Sequence, residues 1–291
     1  MPEPSRPEKR AVRRSFARAA TRYDEHAILQ REVGARLLQH LDPIRIDPRR
    51  VVDLGCGTGG AFTELRKRFP RARLVGIDIA LPMLLEARVR TPWWRRAVGS
   101  AAPLLACADA ERLALAAGCA ELAFSNLMLQ WCDPAAVLAE AARVLQVGGL
   151  FLFSTYGPDT LKELRASFSA TGDTQHVHEF VDMHDLGDAL VAAGFADPVM
   201  EMETVTLEYS TVRALAADLK GAGAHNALPG RPRGLGGRER WRRMAERYES
   251  YRRGEALPAT YEIVYGHAWK AAPRRTADGR AIVDFHPRAP R

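Results

Sequence analysis

Lysine is scarce in this chain: only five of its 42 basic residues are Lys, and the rest are Arg. An Arg-rich stretch is therefore weak evidence by itself, because composition raises Arg everywhere. Cysteine is sparse too. Cys56, Cys107, Cys119 and Cys132 show no C-x-x-C spacing, which argues against a zinc or thiol-redox motif and against a disulfide scaffold. No run of about 18 uncharged apolar residues occurs, so no membrane-spanning helix is expected. The opening MPEPSRPEKRAVRR lacks the apolar core of a secretory signal. Its arginines suit a mitochondrial presequence, but Glu3 and Glu8 interrupt them and helix-like sequence follows at once. A soluble protein of the reducing cytoplasm is the expectation.

What is present suits a globular enzyme. With 291 residues, 47% hydrophobic and 26% charged, the chain fits one α/β domain with insertions or a domain plus a lid. The net charge of +7 is unevenly placed. Residues 1–22 carry seven Lys/Arg against two Glu, and residues 231–253 carry nine Arg against three Glu. The second stretch reads equally as a solvated helix face or as a docking surface for an acidic partner.

Four segments are expected. Residues 1–45 read as an N-terminal helical cap, with Phe16, Ala19, Ala20 and Tyr23 at helical spacing. Over 46–156, apolar runs alternate with helical stretches, the pattern of βαβ units and a parallel sheet. Strands are expected at 50–54, 73–77, 104–108, 122–125 and 149–155. Residues 157–270 read as a helical insertion followed by two β-like runs, 199–209 and 260–269, that close the sheet as an antiparallel pair. The tail, 271–291, is expected to be disordered.

The chemistry centres on VVDLGCGTGG at 51–60. A strand running into a Gly-rich turn and then a helix lets a ligand approach the backbone and meet free N–H groups. Gly55, Gly57 and Gly60 satisfy G-x-G-x-x-G, and Asp78 stands where a ribose-binding acid would, so a nicotinamide enzyme must be weighed. Three features tilt the choice. Asp53 precedes the glycines, where it would repel a pyrophosphate but suits an ammonium. Asp109, in ACADAE, can accept from an adenine amino group. SNLMLQW puts Asn126 and Gln130 at the carboxyl edge of the sheet, where such folds bind ligands. An adenosine with an amino acid part and no phosphate describes S-adenosylmethionine. Plainer roles stay open: Asp53 as a turn cap, Met83 as core and Tyr23 as helix packing. His176, His178 and His184 lack metal-ligand spacing, and no metal is expected.

DLGCGTG, GIDIA, CADAE and SNLMLQW occur in the order found in class I S-adenosylmethionine-dependent methyltransferases, which residues 45–155 resemble. The resemblance implies a doubly wound seven-stranded α/β sheet with one antiparallel strand and a helical insertion or lid. It implies that Gly55 and Gly57 pass the methionine part, Asp78 holds the ribose, Asp109 with Ala110 and Met83 hold the adenine, and Asn126 with Leu127 line the methyl side. Tyr23 would cap the site.

FARAATRYDEHAILQREV, FSTYGPDTLKELRASF, FVDMHDLGDALVAAGF, DLKGAGAHN and LPATYEIVYGHAW extend the likeness over 13–270. Together they resemble the malonyl-[acyl-carrier protein] O-methyltransferases of biotin synthesis, the BioC family. The activity implied is methyl transfer to the free carboxylate of a malonyl thioester. Arg165 and Lys220 are the candidate carboxylate clamps, with Tyr23 and His225 as hydrogen-bond donors. The acceptor's carrier protein, an acidic bundle, would dock on 231–253. The segment after the fourth strand is not the Asn/Asp-Pro-Pro-aromatic sequence of base methylation, so neither nucleic acid nor membrane is an expected partner. Alternatives are another small-molecule carboxyl methyltransferase, an arginine-hydroxylating assembly factor of the same fold, and a nicotinamide oxidoreductase.

Overall fold

The computed structural model describes residues 7–90, 102–169, 179–224 and 237–272. His225, residues 231–236 of the basic stretch and the tail from 273 onward lie outside the described residues. Seven strands form one sheet in the order β3-β2-β1-β4-β5-β7-β6. They are β1 (Arg50–Leu54), β2 (Arg73–Asp78), β3 (Leu104–Cys107), β4 (Ala120–Asn126), β5 (Leu145–Tyr156), β6 (Phe195–Tyr209) and β7 (Leu257–Lys270). The first five pair in parallel. β7 runs antiparallel to both neighbours. This is the doubly wound sheet with one antiparallel strand that the sequence pattern predicts.

Alternation along the central strands builds two cores. Leu122, Phe124, Leu150 and Leu152 face one side, with α3 (Ile28–Gln39) and α4 (Phe62–Arg68) packed over them. Ala123, Phe151 and Phe153 face the other, under α6 (Pro134–Val144) and α8 (Met183–Ala192). β5 is buried at every residue from Leu150 to Tyr156, as a strand covered on both faces must be. α6 starts where Asp133 accepts from the N–H of Ala135 and Pro134 fills the first turn, which satisfies donors a helix start leaves free.

Some boundaries move. The N-terminal helical segment is broken into α1 (Lys9–Ala19), α2 (Tyr23–His26) and α3, and the breaks turn α1 back over the sheet edge. β6 begins at Phe195, but Pro198 cannot donate to a ladder and its register with β7 shifts between Ala196 and Val199. α5 (Leu81–Val89), α7 (Lys162–Ser169), α9 (Val212–Gly221) and α10 (Gly237–Tyr248) complete the elements used below. No helix among the described residues is long and apolar enough to cross a membrane.

Candidate functional site

β1 leads into a turn built on three glycines. Gly55, Gly57 and Gly59 take φ of +74°, +53° and +78°, a region costly for residues with a Cβ. A Cβ on Gly55 would sit 2.3 Å from Cγ of Met128. The turn is bolted to β2: the N–H groups of Gly55 and Cys56 donate to the Ile77 carbonyl at 2.8 and 2.9 Å. Asp78, at the end of β2, accepts from the N–H of Gly57 at 3.0 Å and of Ala80 at 2.8 Å. Burial pushes its carboxyl up to about 6 despite those donors, so it is mostly ionised at neutral pH.

A cleft of about 620 Å³, part of it open to solvent, lies over this turn. Asp109, Ala110 and Met83 line one end, Gly57 and Asp78 the middle, and Asn126, Leu127 and Tyr23 the other. Val12 and Phe16 of α1 form its roof. The edge at β4 is held firmly. The Asn126 amide donates to the Gln30 carbonyl at 2.8 Å and accepts from the Ser154 hydroxyl at 2.8 Å. A Cβ on Gly34 would come within 2.9 Å of that amide, so the glycine is what lets α3 lie this close. Leu127 has φ of +48°, a strained conformation of the kind found where a backbone is held for a ligand.

A second cavity, about 850 Å³ including open space, adjoins the first and shares Tyr23, Gly55, Gly57 and Asn126 with it. Asp53 is in its wall, 3% exposed. Burial first, and then the charge of Asp78, push the Asp53 carboxyl up to about 8. Gln30 also lines this cavity, and its side-chain oxygen is buried with no partner among the described residues. Arg31 is the cationic side chain here and donates to the Asp24 carbonyl at 2.5 Å. Burial and Asp78 hold the Tyr23 phenol far above its ordinary range, so it is a hydrogen-bond donor at any neutral pH.

Of the sequence-chosen site residues, Tyr23, Gly55, Gly57, Asp78, Met83, Asp109, Ala110, Asn126 and Leu127 meet around the first cleft, and Asp53 lines the second cavity. Arg165 and Lys220 join neither. The Arg165 guanidinium donates to the carbonyls of Pro158 at 2.8 Å and Thr160 at 2.9 Å, so it shapes the loop after β5 where a carboxylate clamp was expected. Lys220 is exposed near the end of α9 and lines neither cavity. Lys9, Gln30 and Arg31 are lining residues that the sequence reading missed.

Comparison with known proteins identifies the fold and the family. Residues 52–153 match a family model described as a methyltransferase domain. Two solved structures share the fold at 16% identity and a TM-score of 0.56. They are the YcgJ protein of Bacillus subtilis, covering 81% of this chain and 98% of that one, and a methyltransferase-like protein of Bacillus halodurans, covering 82% and 99%. A malonyl-[acyl-carrier protein] O-methyltransferase of Laribacter hongkongensis is 52% identical over 289 residues, 97% of each chain. Its counterpart in Gallionella capsiferriformans is 50% identical over 277 residues, 95% of this chain and 96% of that one. The chain belongs to the malonyl-[acyl-carrier protein] O-methyltransferase family. Membership at this identity, over the late helices and strands as well as the sheet, sets aside the nicotinamide and arginine-hydroxylase readings.

Proposed function

We propose that the protein transfers a methyl group from S-adenosylmethionine to the free carboxylate of a malonyl thioester carried by acyl-carrier protein, the step that would open the synthesis of the biotin precursor chain. The observation that carries this reading is the near-complete, 50–52% likeness to enzymes of that name. The geometry supports it. Buried Asp53 would repel a pyrophosphate, whereas the linked cavities suit an adenosyl group with an amino acid tail.

On this reading Asp109 accepts from the adenine amino group, with Ala110 and Met83 against the ring, and Asp78 accepts from the ribose hydroxyls. Asp53 and Gln30 receive the α-ammonium, and Arg31 the α-carboxylate, in a bidentate pairing suited to its fork. Gly55 and Gly57 let the chain lie against this tail. When bound, the sulfonium supplies an electrophilic methyl group. A malonyl carboxylate is already ionised at neutral pH, so the protein needs no general base. Its task is to align the carboxylate oxygen with the methyl carbon and to keep water out. The Tyr23 hydroxyl, which keeps its proton, orients that carboxylate, while Asn126 and Leu127 fix the floor.

The carrier would dock on α10. Its charge is partly consumed internally, Arg242 pairing with Glu239 and Glu246, and just beyond it Arg252 pairs with Glu249. Arg243 also lies 3.9 Å from Glu239, while Arg238 and Arg247 are exposed, which leaves a narrower basic stripe than composition suggests. Label from methyl-tritiated donor, offered with malonyl-carrier protein, malonyl-coenzyme A and bare carrier, tests the reaction. A base-labile ester on the malonyl carrier is expected, and binding of donor without transfer to any malonyl thioester would discard the substrate. Reversing both Arg243 and Arg247 to Glu should raise KM for the malonyl carrier about tenfold and leave malonyl-coenzyme A unaffected, since long-range charge acts on the carrier.

A further inference from the structure

At the end of the cleft beyond Ala110, Asp109 stands in a cluster with Glu111 and Cys132, two side chains to which the proposed reaction gives no role. Asp109, Glu111 and Cys132 bring their ligand atoms within 4.8 Å of one another. That is metal-site spacing, but a side chain already fills the centre. The Lys9 ammonium lies 2.7 Å from Oε1 of Glu111, 3.0 Å from Oδ1 of Asp109 and 3.1 Å from Sγ of Cys132. An ammonium has three donors, and all three are spent here. Burial opposes its charge, yet Cys132, Glu111 and Asp109 together keep it protonated well above the ordinary lysine range. In the same cluster, burial pushes the Cys132 thiol up to about 11, with Lys9 pulling the other way, so the sulfur is a thiol acceptor at neutral pH.

Two consequences follow from where these atoms sit. Lys9 begins α1, whose Val12 and Phe16 roof the cleft, and Phe16 meets Trp131 edge to face at 5.3 Å. The ion pair therefore ties the roof to the rim. Asp109 also accepts from the N–H of Glu111 through Oδ1, at 3.1 Å. With Oδ1 holding both donors, Oδ2 has no hydrogen bond from a described residue, and Asp109 lines the cleft. Glu111 is anchored in turn by the N–H of Asp133 at 2.6 Å.

We infer that Lys9 is a positioning residue for the cofactor: by gripping Asp109 Oδ1 and Glu111 it turns Asp109 Oδ2 toward the adenine amino group and closes α1 over the bound adenosine. The inference rests on the proposed S-adenosylmethionine site. Asp109 without Lys9 can rotate, and its preference for a 6-amino purine falls. A carboxylate held in place by a charge-assisted bond discriminates where a free one rehydrates.

The test measures binding of S-adenosylhomocysteine and of S-inosylhomocysteine, which replaces the 6-amino group with an oxygen, by titration calorimetry. The wild-type protein should favour the adenosyl ligand. Lys9→Met should weaken S-adenosylhomocysteine about tenfold and bring the ratio of the two affinities close to one, while Lys9→Arg retains most of the preference. Glu111→Gln, which keeps Asp109 and removes one side of the grip, should weaken binding about threefold and narrow the ratio in the same direction. Wild-type affinity in Lys9→Met overturns the inference. So does an equal loss for both ligands with the ratio intact, which marks a merely structural contact. If the wild-type protein binds neither ligand, the cofactor reading itself fails, and that outcome is distinct from the first two.

Discussion

The two ends of the ligand cleft are built on opposite principles. At the Asp109 end every charge has a partner: Lys9 serves Asp109, Glu111 and Cys132, and backbone N–H groups complete the carboxylates. At the Asp53 end a buried acid lines the cavity beside a buried amide oxygen that lacks a donor. Asp53 is held near 8 by desolvation and by Asp78, and the Gln30 oxygen has no partner among the described residues. The first end is organised before any ligand arrives. On the proposed reading the second is completed by the ligand, whose ammonium would supply donors to Asp53 and Gln30. Unpaired buried polar groups destabilise a protein, and here that cost is placed where binding relieves it.

This contrast can be broken at its strongest point first. Asp53→Asn should weaken S-adenosylhomocysteine about a hundredfold, read by calorimetry, because a charge-assisted contact to the ammonium is lost. The same substitution should raise the melting temperature of the ligand-free protein at pH 8. The sign follows from linkage: the Asp53 pKa is raised on folding, so its contribution is fully present below about 4 and is lost as pH rises through about 8. Asn has no charge to bury. An unchanged melting temperature at pH 8 would mean that Asp53 is not ionising in a buried site. The pH profile sharpens the contrast further. Affinity of the wild-type protein should rise nearly tenfold between pH 6 and 7 and flatten near 8, while Asp53→Asn shows little slope. The smallest effect is expected at Gln30→Ala: about threefold weaker binding with equal or slightly greater stability, since an unsatisfied acceptor is removed along with a ligand contact.

Sequence spacing made the first half of the sheet legible because β1 to β4 are short and mostly apolar and helix starts such as Asp133-Pro134 separate the strands. The turn at 55–60 and the acids Asp53, Asp78 and Asp109 were legible for a related reason: each follows or ends a strand, and parallel strands bring their ends to one edge. Lys9 was not legible. Its partners stand 100 and 123 residues away, and no periodicity links a helix start to an edge so remote. The surroundings of Arg165 were not legible either, and it lines neither cavity. It looked like an exposed cation on a helix, but the loop after β5 leaves the carbonyls of Pro158 and Thr160 unpaired, and the guanidinium completes them. Over 237–253, charge counting does not show which arginines are paired: Glu239, Glu246 and Glu249 sit within helical reach of Arg242 and Arg252.

The place of β7 in the sheet also has a bearing on how the molecule assembles. It is the last strand in sequence yet lies inside the sheet, between β5 and β6, and joins residues such as Leu150 and Trp269. β6 has no ladder to enter until β7 arrives. The five parallel strands that carry Asp53, Asp78, Asp109 and Asn126 need no such wait, since each finds a neighbour among the first 156 residues. Pairings of high sequence separation form slowly, and growing chains fold from the N-terminal side. The edge that bears those acids can thus take shape on a nascent chain, while the segment that covers Phe153 and docks α7 and α10 is set down afterwards. Substitutions in β7 would accordingly be felt as slow completion of an already folded half.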